Sequence, residues 1–114
     1  RSSDLWNGLM QPGNNVLRGQ SAFYMLHPGL AGHLDIPDIA SIAAPRPMLI
    51  YSGGQDKLFP AAAVNDAFAK VHNVWASQNA QDKLETRTWP ELGHVFYQEQ
   101  QDEVFPWLDK WLKP

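Results

Sequence analysis

Met48-Leu49-Ile50-Tyr51-Ser52-Gly53-Gly54-Gln55-Asp56 is the stretch from which the rest of the chain is read. Four apolar residues in succession, ended by Ser-Gly-Gly, have the pattern of a strand covered on both faces, as in a parallel sheet; a strand with one wet face would alternate. Before it, Ala44-Pro45-Arg46-Pro47 predicts an extended approach, because each proline disfavours helix in the residue that precedes it. After it, from Pro60 to about Trp75, the period changes: Val64, Ala67, Phe68, Val71 and Trp75 fall on one face of a helix, and Pro60 suits the first turn. Asn79-Ala80-Gln81-Asp82 reads as a loop. Leu84-Glu85-Thr86-Arg87-Thr88-Trp89 alternates at period two and stops at Pro90, a second strand with Leu84, Thr86 and Thr88 on one side. Val104, Phe105, Leu108, Trp111 and Leu112 mark a last helix, which Pro106 either kinks or begins. Strand, helix, strand, helix at this spacing predicts an α/β fold with two adjacent parallel strands, a right-handed crossover helix and a C-terminal helix.

The remainder of the chain is less regular. Residues 1–38 carry turn and breaker signals at short intervals: Pro12-Gly13-Asn14-Asn15, Pro28-Gly29, Gly32 and Pro37. They read as a mostly irregular covering or linker segment, with one short helix around Ser21–Leu26. A brief helix is expected from Ile36 to Ala44, with Ile36, Ile39 and Ala40 on one face. Residues 39–114 form the strand–helix–strand–helix part. Ser52 is read as part of the turn that ends the first strand.

Composition narrows the function classes. The 114 residues fit one small domain, and 44 % of them are hydrophobic, too many for a disordered tail. A net charge of −3 offers no electrostatic footprint for nucleic acid or an anionic membrane. No apolar run approaches the ~20 residues of a spanning helix. Without cysteine there is no disulfide framework, thiolate zinc site or cysteine nucleophile within these residues, and the compartment stays open. The sequence starts at Arg1 with no basic-then-apolar leader, and the expectation is a longer parent protein.

Two loops carry the chemistry. Ser52-Gly53-Gly54-Gln55-Asp56-Lys57-Leu58-Phe59-Pro60 follows the first strand, and Glu91-Leu92-Gly93-His94-Val95-Phe96 follows the second. In open α/β sheets functional residues gather beyond the carboxyl ends of the strands, so Asp56 and His94 are expected to meet on one rim. A carboxylate on one imidazole nitrogen fixes the tautomer and leaves the other nitrogen to serve as a general base. Asp56 also has an ordinary reading as a turn or cap residue, and His94 as a loop histidine packed on Phe96; having each other as partners favours the catalytic pair.

Ala44–Phe59 resembles the seventh strand and acid loop of α/β-hydrolases, and is most similar to the acetyl-xylan-esterase-like and dienelactone-hydrolase-like branch. Gly93-His94-Val95-Phe96 resembles the histidine loop after the eighth strand, and Phe105–Lys113 the closing helix. The likeness runs through roughly the last two thirds of the chain. It implies a partial α/β-hydrolase fold in which Asp56 is the triad acid and His94 the base. The departure is the nucleophile: Ser2, Ser3, Ser21, Ser41, Ser52 and Ser77 are the only serines, none in a G-x-S-x-G frame, and no Gly-rich oxyanion loop occurs.

The expected function is therefore that of the C-terminal portion of a serine-dependent ester hydrolase, inactive alone. The parent would act on a small-molecule acyl ester with no cofactor, no metal, and no nucleic-acid or membrane partner. Self-association through an exposed strand edge is a further expectation. Peptidases and dehalogenases share this tail, and a non-catalytic structural or interaction domain is the alternative from a different class. His33 and Asp35 are set aside as a metal pair, since no third ligand has a suitable spacing. Arg46, Asp102 and Glu103 are read as structural or solvated, and Trp75 and Trp111 as core.

Overall fold

The computed structural model describes residues 5–9, 27, 29–30 and 33–113. The elements run α1 (Leu5–Leu9), α2 (Ile36–Ser41), β1 (Met48–Gly53), α3 (Ala61–Ser77), a short 3-10 helix (Gln81–Lys83), β2 (Leu84–Trp89) and α4 (Gln98–Leu112). β1 and β2 pair in parallel, with Met48 opposite Leu84 and Gly53 opposite Trp89. The fold class is thus α/β, with α3 as the crossover helix and α4 as the C-terminal helix. No helix among the described residues is long and apolar enough to cross a membrane.

The helical period of α3 explains its packing. Val64, Ala67, Val71 and Trp75 of α3 are buried. Val71 and Trp75 join Ala80 and Leu84 in one core cluster, flanked by Ala40, Ala43, Ala44, Met48, Ile50 and Val74. Met48 and Ile50 alternate with Leu49 and Tyr51, so the first pair faces α3 and the second the opposite side. Trp75 is 0 % exposed. Its indole N–H donates to the Arg46 carbonyl at 3.0 Å, tying α3 to the approach of β1. On the opposite face the Glu103 carboxylate of α4 pairs with Arg87 of β2 and accepts the Tyr51 hydroxyl at 3.2 Å. Burial, and then the Glu103 carboxylate, raise the Tyr51 hydroxyl pKa above its ordinary value. The Arg87 guanidinium also stacks over the Trp89 ring, 4.2 Å from its centroid.

Several expectations change in detail. α1 lies within the segment read as irregular, and α2, expected over Ile36–Ala44, begins at Ile36 as expected but ends at Ser41. The helix expected around Ser21–Leu26 falls outside the described residues. Within α2, Ile36 and Ala40 do pack on core clusters, but Ile39 is exposed and Pro37 is buried in its stead. The approach to β1 is not extended: the N–H groups of Ile42, Ala43, Ala44 and Arg46 donate to the carbonyls of Ile39, Ala40, Ser41 and Ala43, continuing α2 as a run of turns. Ser52 belongs to β1, opposite Thr88, and not to a turn. α4 starts six residues before its apolar stripe, at Gln98, where the Gln100 side chain accepts the Tyr97 N–H at 2.8 Å. Pro106 therefore lies inside α4, where it supplies no N–H to the turn before it.

Candidate active site

The carboxyl ends of β1 and β2 lead into two loops joined by their backbones. The Gly54 N–H donates to the Trp89 carbonyl and the Gln55 N–H to the Leu92 carbonyl, both at 2.8 Å. This contact requires glycine. A Cβ on Gly53 would stand 2.2 Å from the Gly93 carbonyl oxygen and 2.5 Å from that of Leu92; one on Gly54 would meet Pro90 at 2.9 Å. Gly53 and Gly54 are thus more than a strand stop, because they let the second loop lie directly on the first.

That crossing brings the two candidate residues together. His94 Nδ1 lies 2.9 Å from Asp56 Oδ2. The other carboxylate oxygen, Oδ1, accepts the Leu58 N–H at 2.8 Å, which fixes the plane of the group. The environments are unequal: the Asp56 side chain is 6 % exposed and that of His94 is 71 % exposed. An ionised carboxylate only accepts, so the contact is a hydrogen bond when Nδ1 carries the proton. In the neutral ring Nε2 then keeps its lone pair, and among the described residues nothing occupies it. The arrangement can accept a proton at Nε2 and stabilise the resulting imidazolium through Asp56.

A cleft of about 410 Å³ opens beside the pair. Tyr51, Phe59, Val95 and Phe96 give it apolar walls, and Ser52 and Gln100 also reach it. Gln100, which the sequence reading did not single out, is buried there. The sequence carried no signal for it, because Tyr97, three residues before, is not one of the Ser, Thr, Asp or Asn caps that announce a helix start. Of the two residues set aside as a metal pair, His33 is exposed, while Asp35 is buried and spends its carboxylate on backbone N–H groups. Among the described residues no three His, Asp or Glu side chains come together as metal ligands would.

The geometry so far is a parallel strand–helix–strand unit with an acid after the first strand and a histidine after the second, and comparison with known proteins bears on its fold. No protein-family model matches the sequence. The chain is 34 % identical over 90 residues to the Bacillus subtilis (strain 168) protein named "Putative hydrolase YtaP", an alignment covering 79 % of this chain and 30 % of that protein. Among solved structures it is similar to methylesterase BT1017, with a TM-score of 0.60 and 25 % identity over 70 % of this chain and 18 % of that one. The fold is of the hydrolase type, and the chain spans less than a third of the length of either relative.

Proposed function

We propose that this chain is the acid-and-base portion of a serine-dependent carboxylic-ester hydrolase, with the nucleophile and oxyanion donors contributed by residues outside these 114. The observation that carries the reading is the 2.9 Å contact between His94 Nδ1 and Asp56 Oδ2 on loops that follow adjacent parallel strands. The hydrolase and methylesterase names of the two similar proteins support an ester substrate, and the resemblance of Ala44–Phe59 to acetyl-xylan-esterase-like enzymes points to a small acyl group.

In this mechanism His94 Nε2 takes the proton of a serine hydroxyl as the oxygen attacks the ester carbonyl. The tetrahedral intermediate collapses, Nε2 returns the proton to the departing alkoxide, and an acyl-serine remains. Water then adds with Nε2 as base, and the serine leaves with the proton from Nε2 as the acid is released. Asp56 holds the ring in the Nδ1–H tautomer throughout. Side chains and water complete the cycle. The test is labelling by a fluorophosphonate, which reacts with an activated serine. The complete protein should be labelled and should lose labelling on His94→Ala, while the isolated chain should remain unlabelled. Equal labelling of the complete protein with and without His94 would overturn the proposal.

A further inference from the structure

A second buried carboxylate lies behind the acid loop. Asp35 is 1 % exposed. It accepts the Ile36 N–H at 2.7 Å, an ordinary cap for α2. It also accepts the Leu5 N–H at 2.6 Å and the Trp6 N–H at 3.1 Å, from 30 and 29 residues away. Capping α2 does not require these two bonds; they satisfy the first donors of α1. A five-residue helix has no stability of its own, so α1 is placed by what holds its ends and its side chains.

The buried side chains of α1, Trp6 and Leu9, pack with Leu30, Ile36, Leu58 and Phe59. Leu58 and Phe59 belong to the acid loop. Leu58 holds the Asp56 Oδ1 through its N–H while its side chain rests in the α1 cluster, and Phe59 forms part of the cleft wall. His94 is mostly exposed, so little besides Asp56 orients its ring.

We propose that Asp35 is a positioning residue for the Asp56–His94 pair: by anchoring α1 it fixes the apolar pad under Leu58 and thereby the direction of the Asp56 carboxylate. This rests on the reading of Asp56 and His94 as acid and base. It assigns the N-terminal segment a part in the site, although none of its described residues reaches the cleft.

The test uses the chain as it stands, with the ring-nitrogen NMR shifts of neutral His94 reporting its tautomer. The wild-type chain should show mainly the Nδ1–H form, and Asp56→Asn should move it to a majority of the Nε2–H form. Asp35→Asn keeps one acceptor but turns a donor toward an α1 amide; it should move His94 the same way, with His72 and the Trp75 indole signal unchanged. Should Asp35→Asn fail to fold, Leu9→Ala loosens the same pad with the carboxylate intact, and the same shift is expected. A wild-type tautomer in whichever of these two variants folds overturns the role of Asp35. If Asp56→Asn itself leaves the tautomer unchanged, the acid–base pair is what fails.

Discussion

Gly53→Ala tests how the site is assembled. The added methyl would sit 2.2 Å from the Gly93 carbonyl oxygen, about 0.8 Å inside the 3.0 Å limit for such contacts, and the obstructing atoms are backbone. The histidine loop must therefore retreat by about that distance. A retreat of ~0.8 Å takes the 2.8 Å bond from Gln55 N–H to the Leu92 carbonyl out to about 3.6 Å, where it no longer counts as a hydrogen bond. Overpacking costs about 1–3 kcal/mol, and each lost backbone bond about 0.5–1.5 kcal/mol. The expected destabilisation is roughly 1.5–4.5 kcal/mol, a large share of the ~5–15 kcal/mol that holds a typical domain. Urea unfolding followed by tryptophan fluorescence reads this, and the His94 tautomer should shift with it. Gly54→Ala is the control: its methyl would fall only about 0.1 Å inside the same limit, so a cost nearer ~1 kcal/mol is expected. A Gly53→Ala chain within ~0.5 kcal/mol of wild type, or one less affected than Gly54→Ala, would refute the view that close crossing of the loops builds the site.

Two further outcomes follow from the frame. Trp75→Ala should cost about 3–5 kcal/mol by chemical denaturation, because it empties the centre of the core and strands the Arg46 carbonyl; a loss under ~1 kcal/mol would show that α3 is not the anchor of the sheet. Asp38 meets the Lys70 ammonium at 3.0 Å, and although burial acts to raise its carboxyl, the Lys70 contacts and the Asp35 N–H outweigh that and set it below 3.8. With its folded-state pKa depressed, its contribution is present above pH 3.8 and lost as pH falls through the folded value. Asp38→Asn should therefore lower stability at pH 7 by at most ~1 kcal/mol and leave it nearly unchanged at the acid end, the pair being partly exposed; a larger effect in acid than at neutrality would reverse the argument.

Legibility in the sequence followed the length and periodicity of each element. β1, α3 and β2 were readable because a continuous apolar run, a 3.6 period and a period of two follow one another, each set by what its side chains must cover. Asp56 and His94 were readable because parallel strands place successive loops on one rim. α1 was not: five residues make barely one turn, and its anchor, Asp35, is some thirty residues away. The start of α4 was hidden because Gln98, Glu99, Gln100 and Gln101 have no apolar period and no Ser, Thr, Asp or Asn stands at the cap. Gly53 and Gly54 were visible as a strand ending, but their role in close approach depends on Leu92 and Gly93, which only the fold brings opposite them.

The central claim, that Asp56 and His94 serve ester hydrolysis, is tested most directly by turnover of a short acyl ester by the complete protein with His94 present and replaced. Measurable saturable hydrolysis is expected, falling by a factor of at least about 10⁴ on His94→Ala, as on loss of a triad base. Hydrolysis that persists at the wild-type rate after His94→Ala would contradict it.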